Sequence, residues 1–259
     1  MSIFKKIIKA YKEKRLFLAV NSKLLPYIIG LKYIFSFSKN IKIHNPNYIK
    51  PNTTDHENEI VERVFRSYKF MKNDEIKIDI KFKPSKLWID QLNNSYKFFH
   101  DSLKENNVNK FHFFLTNYGS WKEYHGISNN TLIRSLSRSY IGRRYLENVT
   151  FKKNLRNWKW LNKENNNLSD LEFFRHGNQS GAFIDDKFII ASAFFNEFTA
   201  SILSNLLTKY DTPNIAELGG GDGNFIYYLL KKFENFRYFG FDLPEVISII
   251  SYNFLLEWP

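Results

Sequence analysis

The chain has 259 residues, no cysteine and a net charge of +12. That length leaves room for one large or two small domains with a full hydrophobic core, and the lack of cysteine excludes a disulfide framework and any thiolate metal site, which fits a reducing compartment. The charge is uneven: residues 1–50 hold ten Lys, one Arg and one Glu, so only +2 falls to the other 209 residues and the basic character belongs to an N-terminal arm.

In that arm Ile3, Phe4, Ile7, Ile8 and Tyr11 recur at helical spacing with Lys5, Lys6, Lys9 and Lys12 between them, which predicts a basic amphipathic helix. Such a helix either lies on an anionic membrane surface, lysines among the headgroups, or packs its stripe on the next domain with its lysines solvated. The apolar stretch from Leu24 to Phe37 is broken by Pro26, Gly30 and Lys32. At about fourteen residues it falls short of the ~20 that a spanning helix needs. No small-residue cleavage site follows it, so neither a transmembrane helix nor a cleaved signal is expected. The corresponding location is cytoplasmic, peripheral to the inner face of the membrane through residues 1–37.

Residues 51–190 speak mainly of fold, a mainly helical α+β region that would serve as a substrate or cap region. Thr54-x-x-Glu57 is a capping box ahead of Ile60, Val61, Val64, Phe65 and Tyr68, which predicts a helix. Strict alternation from Ile76 to Phe82 predicts a half-buried strand. Pro84-Ser85 opens a second helix with Leu87, Trp88, Leu92, Tyr96 and Phe99 on its apolar side. Lys110 to Leu115 reads as a strand, Asn129 to Leu146 as one basic helix with Arg134, Arg138, Arg143 and Arg144, and Asn162 to Asp170 as a polar loop. Gly181 to Ile190 reads as a hairpin turning at Asp185-Asp186. Phe194, Phe195, Phe198, Ile202, Leu206 and Leu207 then mark a helix that opens the last unit, residues 191–259. Candidate chemical groups in the middle region are Tyr118, His125, Arg134 and His176. His176 is the catalytic candidate, set in the polar loop His176-Gly177-Asn178-Gln179-Ser180, although loop histidines are more often solvated bystanders than bases. The arginines could grip a phosphate or carboxylate, or simply line a wet helix face. No His, Asp or Glu cluster has metal-ligand spacing.

The strongest signal lies from Asn214 to Pro259. The apolar run Ile215 to Leu218 enters a loop holding Gly219, Gly220, Gly221 and Gly223, and an apolar-periodic segment follows: strand, tight turn, helix. Glycine there permits positive φ and lets a ligand approach the backbone. A second run, Tyr238 to Phe241, ends at Asp242, nineteen residues after Gly223, near the spacing at which a β-α-β unit offers a carboxylate to a ribose. The dinucleotide pattern G-x-G-x-x-G/A fails in every register: Asn224 stands third after Gly219 and Gly221, Asp222 stands second after Gly220, and Ile226 stands third after Gly221 and Gly223.

What remains is Glu217-x-Gly219-x-Gly221-x-Gly223, which resembles the first motif of the S-adenosylmethionine-dependent methyltransferases. The wording AELGGGDGNFIYYLL with YFGFDLPEV is similar to the sugar O-methyltransferase family, over about Gly177 to Pro259. The resemblance implies a partial Rossmann-like methyltransferase sheet in strand-helix-strand-helix order. It implies S-adenosyl-L-methionine as cofactor, with Asp242 on the ribose hydroxyls, the turn Gly219–Gly223 against the ribose and methionine portion, and Glu217 orienting the loop or the methionine ammonium. The acceptor would be a sugar hydroxyl of a glycan or glycan-lipid. Relative to the family's seven-stranded sheet only the first strands are present, so a shortened chain with exposed sheet edges, able to pair with a second copy, is expected. Two other readings stand beside it: a non-catalytic remnant or membrane-associated binding protein, and a nucleic-acid methyltransferase. Nucleic acid is the weaker partner, because the aromatics fall on helical apolar stripes instead of alternating with base-reading polar groups.

Overall fold

A computed structural model describes residues 40–79, 81, 83–121, 130–162 and 167–258; of residues 130–132 and 134 only the backbone is described. The amphipathic helix and apolar run expected within residues 1–37, His125, the Arg134 side chain and much of the polar loop after Asn162 lie outside the described residues.

The chain is an α/β protein, mainly helical, with two small sheets among the described residues. Strand β1 (Ile41–His44) precedes helix α1 (Asp55–Lys77). Thr54 caps α1 by accepting from the Glu57 backbone N–H at 3.3 Å, and Ile60, Val61, Val64, Phe65 and Tyr68 are buried as the periodicity requires. Glu57 does not turn back to complete the capping box; its carboxylate is taken by His112 and Tyr252. Among the described residues of Ile76 to Phe82 the expected strand is absent. Helix α1 runs through Lys77, Ile76 is 74% exposed, and the chain turns extended only at Ile78, with no strand beside it.

Helices α2 (Lys86–Asn94) and α3 (Lys97–Lys104) replace the single helix expected after Pro84; Leu92, Tyr96 and Phe99 are buried, but Leu87 is exposed. Lys110 to Leu115 is helical too, within α4 (Val108–Asn117), whose N-cap Asn107 accepts from Lys110 N at 2.9 Å. The basic segment is broken at Ser139, giving α5 (Asn130–Ser137) and α6 (Tyr140–Tyr145); Ser139 caps the second by accepting from Gly142 N. A π-helical stretch, Leu146–Lys152, leads into α7 (Lys153–Leu161), and a 3-10 turn spans Leu168–Leu171 in the segment expected as loop.

The hairpin is β2 (Gly181–Ile184) and β3 (Lys187–Ile189), turning at Asp185 and Asp186 with φ of 47° and 64°. Successive positive φ values match the right-handed twist of flanking strands, and aspartate tolerates them. Strand β1 joins antiparallel along β2, Ile41 opposite Ile184, so residues 41–44 belong to this sheet. Helix α8 (Ala193–Leu207) then packs on α9 (Asn224–Leu230), and α9 connects β4 (Asn214–Leu218) to β5 (Arg237–Phe241). These strands pair in parallel, Asn214 opposite Arg237 through Leu218 opposite Phe241. Helix α10 (Pro244–Glu257) follows, with proline in its first turn where the missing N–H costs nothing.

Two apolar cores result. One joins α1, α3 and α4 to Val246, Ile249 and Tyr252 of α10. The other joins the hairpin, α7 and α8 to Ile226, Tyr227, Tyr228 and Leu229 of α9. Both take residues from either side of position 190.

Candidate functional site

The parallel pair β4–β5 sets the glycine turn and Asp242 side by side. Both strands end at the same level, and the N–H of Gly219 donates to the carbonyl of Phe241 at 2.8 Å. Gly219, Gly221 and Gly223 have φ of 75°, 62° and 84°. A Cβ at Gly223 would stand 2.7 Å from Phe254 of α10, whereas nothing lies within 4 Å of the same position at Gly219. The turn is thus seated on α10 at one end and open at the other, where a ligand could meet bare backbone.

Asp242 closes the turn. Its Oδ2 accepts from the Gly221 N–H at 3.1 Å and its Oδ1 from the Leu243 N–H at 2.8 Å. Burial raises its pKa and these two N–H groups oppose the rise, with the charge of Glu245 adding to it. Each carboxylate oxygen has more than one acceptor position, so both can still take a hydroxyl. Beside it opens a cleft of about 360 Å³, lined by Phe70, Met71, Asp74 and Glu75 of α1, by Ile78 and Pro84, and by Asp242, Leu243 and Pro244. Its size and mixed apolar and acidic wall suit a nucleoside.

Glu217 points across the sheet and accepts from the Tyr238 hydroxyl at 2.6 Å. Burial raises its pKa, the Tyr238 bond lowers it, and Asp242 raises it further. Its Oε2 lies 3.2 Å from the Cβ position of Gly220, so it braces the loop from beneath. Tyr238 is a partner that sequence reasoning missed; its place in the apolar run before Asp242 is the signal that could have found it.

Two further acids escaped notice. Asp222, inside the turn, is 1% exposed: Oδ1 accepts from the Asn224 amide, Oδ2 has no partner, and burial pushes its pKa up to about 7. Glu245, in the first turn of α10, is wholly buried. One of its oxygens receives Tyr68 Oη at 3.2 Å, Lys72 Nζ at 3.0 Å and His100 Nε2 at 2.7 Å. Burial works against its charge, and the His100 bond and the Lys72 charge overcome that, leaving its pKa below the usual value.

Glu217, Gly219, Gly220, Gly221, Gly223 and Asp242 are therefore brought together. His176 is not among them: its Nε2 pairs with Glu257 at 3.2 Å, and it lines a different groove with Tyr252, about two helical turns along α10 from Pro244. Among the described residues no group of His, Cys, Asp and Glu could hold a metal ion, and no helix is long and apolar enough to cross a membrane. Comparison with protein-family models, curated proteins and solved structures finds no match.

Proposed function

We propose that the glycine turn and Asp242 form a half-site for S-adenosylmethionine in an O-methyltransferase that acts on a sugar hydroxyl. The observation that carries the cofactor is Asp242 at the carboxyl end of a strand parallel to the one that feeds the glycine turn. In open α/β units that crevice is where nucleosides bind. The sugar rests on the wording of the two motifs, and the Rossmann-like sheet on the single β-α-β unit.

The methyl donor supplies an electrophilic sulfonium carbon, so this chain's part is to bind, orient and exclude water. Asp242 would accept from both ribose hydroxyls while keeping its bonds to Gly221 and Leu243. The apolar wall of Phe70, Ile78, Pro84 and Leu243 would cover a base. Gly219, free of neighbours on its Cβ side, would let the chain beyond the ribose lie on the backbone, with Glu217 holding the loop from below.

Calorimetric titration with S-adenosylhomocysteine tests the reading. Asp242→Asn keeps an acceptor for the turn and removes the charge, and should weaken binding at least tenfold, since charge-assisted bonds to two hydroxyls contribute about 2 kcal/mol or more. Wild-type binding that Asp242→Asn leaves intact, or a folded wild type that binds nothing, defeats it.

A further inference from the structure

At the far end of the α1–α10 pair from Asp242 lies a second groove, of about 380 Å³. Its walls are the segment before α1 with Lys50, the first turn of α1 with His56 and Glu57, the loop carrying Arg175 and His176, and Tyr252 of α10. The carboxylates here are already hydrogen-bonded. Glu57 receives His112 Nε2 at 2.9 Å and Tyr252 Oη at 2.7 Å, and Glu257 at the rim pairs with His176. Of the two fixed cations, neither has an acid partner among the described residues: Lys50 pairs with no carboxylate, and Arg175 lies with its guanidinium 5.3 Å from the Phe183 ring. His44, nearby, has its pKa lowered by burial and then by the Arg175 charge.

The groove is also built to hold its shape. Asn117, fully buried, accepts from Ile49 N at 2.8 Å and donates to Ile49 O at 2.9 Å, tying down the residue before Lys50. Asn178 donates to Asn117 Oδ1 at 3.0 Å, to Ser120 Oγ at 3.1 Å and to Asn47 O at 2.7 Å, and so fixes the Arg175 loop to the same post. Gly177 has a φ of 75° and no room for a Cβ, which would stand 1.9 Å from Tyr118. One buried asparagine thus positions both cation-bearing segments before any ligand arrives, which lowers the entropy cost of binding.

Two cations without an acid partner, on two loops held in place, suit an oxyanion, and a guanidinium fork favours planar or tetrahedral ones. The space around them exceeds a lone phosphate and is edged by Asn52 and Thr116, which can bond hydroxyls. We propose that this groove binds a phosphate monoester on a soluble, sugar-sized ligand, with Lys50 and Arg175 on the phosphate. It is a site separate from the glycine turn and stands whether or not that turn takes a methyl donor.

Titration of the full chain with glucose 1-phosphate, alongside neutral methyl glucoside, tests it. Glucose 1-phosphate should bind saturably, the neutral sugar should not, and the double substitution Lys50→Ala/Arg175→Ala should weaken binding at least tenfold. Both side chains lie at the surface, so the double variant should keep its circular dichroism and thermal midpoint. Binding that survives the double substitution, equal binding of the neutral sugar, or no binding of glucose 1-phosphate overturns the proposal. Sedimentation with phosphatidylglycerol vesicles that the double substitution abolishes, without binding of glucose 1-phosphate, overturns it in favour of a lipid headgroup.

Discussion

Inside the glycine turn Asp222 has one oxygen on Asn224 and the other on nothing, and burial lifts its pKa from 3.8 to about 7. The unfolded chain releases this proton near the ordinary carboxyl value while the folded chain keeps it. Stability is therefore full at low pH and declines as pH rises towards 7. Between pH 5 and pH 8 the wild type should lose on the order of 2–3 kcal/mol more than Asp222→Asn in urea unfolding. Parallel pH profiles for the two proteins would refute this. Gly177 carries a second prediction, because alanine there meets both the Tyr118 ring and a left-handed backbone. Gly177→Ala should cost at least ~2 kcal/mol by thermal or urea unfolding. The placement of Gly219 and Asp242 side by side was legible because a strand, a turn and a carboxylate at fixed spacing are local chemistry. Gly177 was not, since the ring that demands it sits in a segment that the sequence gives no reason to place nearby.

Helices α1 and α10 depend on a carboxylate at each end of their contact. Glu245 holds Tyr68, Lys72 and His100 through one oxygen. Glu245→Ala takes from Tyr68 and His100 the oxygen they share and leaves Lys72 with Glu75 alone, and should cost about 3–5 kcal/mol in urea unfolding. Because its folded pKa is lowered, the carboxylate's contribution is present above the ordinary value near 4.5 and disappears as pH falls through the folded one. Glu245→Gln should accordingly lose less stability than the wild type on acidification; an equal loss would contradict the assignment. The same scale shows why some elements were misread. Phe111 to Leu115 is a mainly apolar run in which all but Phe113 are buried, and periodicity cannot tell a buried helix turn from a buried strand; the cap at Asn107 decides it. The alternation from Ile76 onwards had no partner strand to pair with, and a capped helix already 21 residues long at Glu75 ran through it. The Asp185-Asp186 hairpin was legible because its turn chemistry is self-contained.

At the scale of the molecule, α10 fills the core built on α1, α3 and α4, where Val246, Ile249 and Tyr252 are buried. A fragment of residues 40–190 lacks that helix and should show no cooperative unfolding transition, whereas the full chain should; a cooperative fragment would show the first core to be self-sufficient. The outer face of β4–β5 is different. Leu218 is 82% exposed and Phe239 50%. Leu218→Ser should shift stability by less than ~1 kcal/mol, against about 3–5 kcal/mol for Phe173→Ala in the core, as read by urea midpoints. How α1 meets α10 was invisible in the sequence, since its polar contacts join residues such as Glu57 and Tyr252 that no local pattern links. Those contacts have a mechanical meaning. Packed helices commonly accommodate ligands by sliding past one another, but here a slide of one turn would take Tyr252 from Glu57 and Tyr68 and Lys72 from Glu245 at once. The pair acts as a ruler: the cleft beside Asp242 and the groove between Lys50 and Arg175 are held at a constant separation, and whatever binds at either end meets a gauge of fixed length.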